Sequence, residues 1–152
     1  MIAAWVGGEM ALVRWDDKYL VGNPDVDHDH RTLFAMINEF HEAFQESKKR
    51  GELIVILRRL VDYSERHFQR EEAIMSAAGY PALDEHHAAH EKLFETIFEL
   101  NDKLESDPAP LDRQTIAFLR TWLSDHVIAQ DLKLGAFLRE KNGQKLESKP
   151  ES

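Results

Sequence analysis

Four stretches of this sequence place apolar side chains at alternating three- and four-residue steps, and histidines and carboxylates occupy places in those series. The first runs Leu33, Phe34, Ile37, His41, Phe44, with His30 one turn ahead of it on the same face. The second runs Leu53, Leu57, Leu60, Ser64, His67, Glu71, Ile74, and the third Leu83, His86, His90, Leu93, Ile97, Leu100, Leu104. The fourth is Ile116, Leu119, Leu123, His126, then Leu134 and Leu138. This is the period of an amphipathic α-helix. No stretch alternates with period two, and β-branched residues are sparse, so a sheet is not expected.

Punctuation separates the four stretches. Asn23-Pro24-Asp25 reads as a turn with a capping residue, and Lys48-Lys49-Arg50-Gly51 as a basic helix end followed by a terminating glycine. Gly79-Tyr80-Pro81 and then Asp84 form a second stop and restart. Ser106-Asp107-Pro108-Ala109-Pro110 is a third break, with Asp112 as the next cap. Short connections between amphipathic helices predict an all-α fold, an antiparallel up-down-up-down four-helix bundle over residues 25–141. Residues 1–24 read as an irregular N-terminal arm pinned by Trp15 and Tyr19, and 142–152 as a polar, disordered tail.

A chain of 152 residues fits one domain and buries roughly 68–70% of the surface its unfolded form exposes. It has no cysteine, which removes disulfides, thiolate catalysis and iron–sulfur clusters and fits a cytoplasmic setting. A net charge of −9 argues against nucleic acid and against an anionic membrane surface. No apolar run approaches the ~20 residues that span a bilayer. Met1 to Gly8 lacks the basic flank and length of an export signal. Because Met10 directly precedes Ala11-Leu12-Val13-Arg14-Trp15, the first nine residues read as a misassigned start or a loose tail.

One inward histidine in a bundle is ordinarily a satisfied core residue. Five of them (His30, His67, His86, His90, His126) with two acids (Glu71, Asp131), spread over four helices, are a different matter. Each buried polar group without a partner costs roughly 1–3 kcal/mol, and the sum would exceed the ~5–15 kcal/mol by which a domain is stable. Metal binding offsets that cost. Seven donors are too many for one zinc, and five imidazoles do not suit calcium or magnesium. Two metals sharing the carboxylates do fit. If His86, His90 and His126 serve one ion, then Glu71, Asp131 and a solvent bridge complete six positions. The other ion then has His30, His67 and the same three bridges, with one position vacant. Five helical residues advance about 140° beyond a full turn, so His126 and Asp131 cannot both face inward on a regular helix. A π-bulge between them is expected.

The segments Asp27-His28-Asp29-His30, His67-Phe68-Gln69-Arg70-Glu71-Glu72, His86-His87-Ala88-Ala89-His90 and His126 to Asp131 resemble the hemerythrin family, its bacterial members most. The resemblance covers about residues 13–139, including Trp15 and Val21-Gly22. It implies a non-haem diiron centre, two iron ions with an oxo or hydroxo bridge, that binds dioxygen reversibly. The family usually has Gln where this chain has Asp29. That position is expected to face away from the metals.

Other residues read as bland. His28 and His87 are expected at the surface, Glu72 as an exposed ion-pair partner of a basic neighbour, and His41 on the inward stripe but about 16 Å along the helix from His30. Phe34, Phe68, Trp122 and Leu123 could close a dry pocket over the vacant position, hindering loss of superoxide and entry of protons, or could simply be core. No nucleophilic pair or phosphate loop is present, so the chain is not expected to be an enzyme. Reversible carriage or storage of dioxygen is the leading reading. The alternatives are an oxygen or redox sensor acting through a separate protein, and a diiron peroxidase or ferroxidase. An oxygen-accepting or signalling protein is the partner such roles imply.

Overall fold

Asn23 starts the first helix by accepting the backbone N–H groups of Asp25 (3.0 Å) and Val26 (3.1 Å), with Pro24 in the first turn where its missing N–H costs nothing. In the computed structural model this helix, α1, is Pro24–Gln45, followed by α2 (Arg50–Ala78) and α3 (Leu83–Ser106). A fourth, segmented helix, α4, is built from Arg113–Ala117, Leu119–Trp122, Ser124–His126, a π-helical stretch Val127–Asp131, and Leu132–Ser148. The structure describes residues 11–109 and 111–148. The start-codon choice between Met1 and Met10 and the end of the tail lie outside them.

Among the described residues there are four helical arms and no strand, arranged as an antiparallel up-down-up-down bundle. The apolar stripes meet in one core, with Leu33, Ile37, Phe40, Leu57, Leu60, Ile97, Leu119 and Leu123 fully buried. Among the described residues no helix is long and apolar enough to cross a membrane.

The turns follow the expected chemistry in three places and depart from it in one. Gly79 ends α2 in the left-handed conformation (φ 71°), and Tyr80 N–H returns to the Met75 carbonyl at 2.9 Å. Asp112 caps α4 by accepting from Thr115 N–H at 2.7 Å. Asn23 caps α1 as described above. Gly51, by contrast, terminates nothing. The left-handed residue after α1 is Ser47 (φ 57°), and Arg50-Gly51 open α2. Arg50 is a positive charge at a helix start, placed there by a tertiary contact that the local sequence does not reveal: its guanidinium donates to the carbonyls of Leu104, Asp107 and Ala109 at and just beyond the end of α3. The restart marked by Asp84 is also seen, since α3 begins at Leu83 and Asp84 in its first turn complements the helix dipole. At the other end, α4 continues through Asn142-Gly143 to Ser148, where the sequence suggested a disordered tail.

Residues 11–23 cross the bundle. Trp15 and Tyr19 pack edge-on against Phe34, with ring centroids 5.4 and 5.1 Å away. Val13 and Asn38 exchange hydrogen bonds of 3.0 and 2.7 Å. The two carboxylate oxygens of Asp27 accept Val21 N–H (2.7 Å) and Gly22 N–H (3.1 Å). The arm passes directly over Gly135, where any Cβ would overlap the Val21 carbonyl, and Arg139 one turn on donates to that same carbonyl at 2.9 Å. Gly135→Ala should therefore cost about 1–3 kcal/mol of stability through overpacking, measurable as a shifted urea midpoint. An unchanged midpoint would show that the arm is not held there.

Candidate metal centre

The π-helical stretch of α4 is where the site begins. Leu132 N–H reaches back five residues to the Val127 carbonyl, so one extra residue is accommodated in the turn. His126 and Asp131 consequently both point inward, as the five-residue spacing required. On α2 and α3, regular helix suffices: His67 and Glu71, and likewise His86 and His90, are one turn apart on one face. His30 enters from α1. All seven side chains are buried, His126 the most exposed of them at 7%.

The donor atoms fall into two groups that share both carboxylates. Ligand atoms of Glu71, His86, His90, His126 and Asp131 lie within 4.8 Å of one another, as do those of His30, His67, Glu71 and Asp131. Glu71 Oε1 faces His86 Nε2 (2.7 Å) and His90 Nε2 (3.1 Å), whereas Oε2 faces His67 Nε2 (3.3 Å) and His30 Nε2 (3.5 Å). Asp131 divides in the same way: Oδ1 lies 2.8 Å from His86 Nε2 and 3.0 Å from His126 Nε2, and Oδ2 lies 3.0 Å from His30 Nε2. None of these five Nε2 atoms and four carboxylate oxygens has a hydrogen-bond partner. Buried polar atoms are otherwise almost always paired, so this set fits cations held between the helices.

Without metal, the site is an ion cluster. Burial alone would lower the pKa of His30 and His86, but the facing carboxylates of Asp131 and Glu71 outweigh it, raising His30 to about 10 and His86 to about 9. Glu71 is held well below the usual carboxylate range: burial opposes this, and the four surrounding histidines overcome it. In the metal-free chain the two histidines therefore add stability that is complete below their ordinary value of 6.5 and is lost as pH climbs through about 9 and about 10. Glu71 contributes above its ordinary value and loses that contribution in acid. Metal competes with the same protons, so the loaded chain gains from rising pH. Between pH 6.5 and 9 the melting temperature of metal-free protein should fall while that of loaded protein holds or rises. Parallel curves would contradict this charge arrangement.

Two histidines are held from behind. Asp29 is buried, with Oδ2 accepting His67 Nδ1 at 3.0 Å and Arg70 Nε at 2.9 Å, and Oδ1 accepting Tyr63 Oη (2.8 Å) and Arg70 Nη2 (2.8 Å). Burial would raise its pKa, and these hydrogen bonds reverse that and lower it. Asp29 stays outside the donor cluster, as expected, but it is not the bystander the sequence suggested, because it holds His67 from behind. One helical residue is a turn of about 100°, which from His30 leads to the seam between α1 and α2 and not to solvent. Glu72 is half-buried rather than exposed and has two partners on the seam between α2 and α3: Oε1 accepts Nδ1 of the exposed His87 at 2.6 Å, the basic neighbour expected of it, and Oε2 accepts His90 Nδ1 at 2.7 Å, which was not expected. With Nδ1 engaged, His67 and His90 are fixed with Nε2 facing the cluster. His28 and His87 are exposed as expected, and His41 is half-buried, far from the cluster.

Of the apolar neighbours, Phe68 stacks on His90 (centroids 4.3 Å apart, planes at 17°) and tilts against His67. Phe34 turns its ring to Trp15 and Tyr19, Trp122 donates its indole N–H to the Leu93 carbonyl at 3.1 Å, and Leu123 is fully buried one turn before His126.

A four-helix bundle with a buried histidine–carboxylate cluster of this kind defines a metal-binding bundle protein. The profile described as the hemerythrin HHE cation binding domain matches residues 21–138, and the chain belongs to the hemerythrin family. It is 32% identical over 130 residues to a bacteriohemerythrin of Methylococcus capsulatus, covering 85% of this chain and 98% of that one. Over 119 residues it is 31% identical to a myohemerythrin of Riftia pachyptila, covering 78% and 88%. A crystal structure of wild-type hemerythrin superposes with a TM-score of 0.77 at 31% identity, covering 84% of this chain and 98% of that chain.

Proposed function

We propose that this chain binds dioxygen reversibly, as a carrier or store, at a non-haem centre of two iron ions. His86, His90 and His126 would hold one ion and His30 and His67 the other, with Glu71 and Asp131 giving one oxygen to each. The observation that carries the reading is this three-against-two division of histidines around two shared carboxylates. With a solvent bridge, this donor set would offer six positions to one ion and five to the other. When bound, the iron pair supplies two electrons to dioxygen and recovers them on release.

The chain's own residues keep the event reversible. Asp29 and Glu72 hold His67 and His90 in orientation, so the donors need no rearrangement as the gas enters or leaves. Phe68, Leu123 and the surrounding core keep bulk water from the buried cluster, which slows loss of superoxide and delivery of protons. A histidine-rich set with one saturated side favours binding over oxygen activation, which carboxylate-rich sites usually serve.

The test is spectroscopic. Reduced, iron-loaded protein should develop a visible band in air and lose it when oxygen is removed, over many cycles. Bleaching in the first cycles with consumption of added peroxide would point to an enzyme and overturn the carrier reading.

A further inference from the structure

At the end of the bundle opposite the metal cluster, an open pocket of about 810 Å³ lies between the α1–α2 connection and the start of α4. That volume is within the ~300–1,000 Å³ range of small-molecule sites. Its wall is buried and apolar, made chiefly by Leu53, Leu104 and Ile116. Its polar lining is cationic or neutral: His41, Lys48, Arg50, Arg113 and Arg120 contribute, and no Asp or Glu does. In a chain with 28 acidic residues against 19 Lys and Arg, a pocket with that lining is conspicuous.

Several arginines of this protein are committed to partners. Arg58, Arg59 and Arg70 pair with Glu105, Glu39 and Asp29. Arg50 is occupied by the carbonyls at the end of α3. Among the described residues Arg113 and Arg120 form no ion pair, and Lys48 has only a 3.7 Å contact to the exposed Glu46. His41 is half-buried. Burial first, and then the nearby Arg120 charge, lower its pKa. The exposed Arg113 and Arg120 thus border the apolar wall together with Lys48 and His41, and no carboxylate lines the pocket, a setting that favours an anion with an apolar body.

We propose that this pocket binds a small amphipathic anion, an alkyl carboxylate, with its chain along Leu53, Leu104 and Ile116 and its charge between Arg113 and Arg120. The site is independent of the metal centre: His41 lies eleven residues from His30 on α1, about 16 Å. Titration calorimetry of the full, iron-loaded chain with decanoate should give saturable one-to-one binding. Decanol, which keeps the apolar body, and inorganic phosphate, which keeps only charge, should each bind much more weakly. The double variant Arg113→Glu/Arg120→Glu should weaken decanoate binding at least ~10-fold, and Ala117→Trp, which narrows the pocket, should block it. In both variants iron content and visible spectrum should match the unaltered protein. Decanol or phosphate binding as tightly as decanoate, indifference to the charge reversal, or no saturable binding would each overturn the proposal.

Discussion

Glu71→Ala should strip both metals from the protein, whereas His126→Ala should leave roughly one. Glu71 gives Oε1 to the group containing His86, His90 and His126 and Oε2 to the group containing His30 and His67, so its loss removes an oxygen from each side at once. His126 approaches only the Asp131 oxygen on the three-histidine side. The expected loss for Glu71→Ala is more than ~100-fold in affinity at both sites, beyond the 10–100-fold typical of losing a supporting residue. Metal content after equilibrium dialysis against a weak chelator measures it, and far-UV circular dichroism verifies that the bundle persists. Retention of one tightly held metal by Glu71→Ala would show that the carboxylate is not shared.

The second large effect belongs to a residue that touches no metal. Asp29→Ala leaves His67 Nδ1 without its acceptor and removes the partner of Arg70 and of Tyr63. His67 can then rotate or adopt the other tautomer, and its Nε2 is no longer fixed toward Glu71. The expected outcome is a 10–100-fold weaker hold on the two-histidine side, with the three-histidine side retained. Asp29→Asn should fall between, since an amide oxygen can still accept from Nδ1 but carries no charge. A chelator competition that resolves two metal steps distinguishes the sides. Equal weakening of both steps would indicate general destabilisation instead.

These two residues also mark what could be read from the chain alone. The convergence of the five histidines and Glu71 was legible because a polar residue in an apolar stripe breaks a pattern that packing enforces, and helical spacing directs each of these six inward. The π-bulge was legible for a related reason, since His126 and Asp131 conflict on a regular helix and Leu132 bonds to Val127 to resolve it. Asp29 and Glu72 broke no pattern. Each stands beside a donor on its helix, and whether such a neighbour meets solvent or the next helix depends on how the helices are rotated against one another. Periodicity within one helix does not carry that information. The only hints were Asp29 in place of the family's usual Gln and a second acid directly after Glu71.

The same limit explains the helix ends. Arg50 starts α2 because its guanidinium satisfies carbonyls at the end of α3, a contact between residues more than fifty positions apart. Locally, a basic run before glycine reads as a C-terminus. Gly135 gave no sign of its role either: a glycine inside a helix costs stability, and only the passage of Val21 over it accounts for its presence.

The most direct test of the central claim is a crystal structure of iron-loaded protein with data collected at the iron absorption edge. Two anomalous peaks of full occupancy should lie between the helices, one bounded by His86, His90 and His126, the other by His30 and His67, with Glu71 and Asp131 touching both. A single peak, or a second ion whose positions are all filled by protein side chains, would contradict the account.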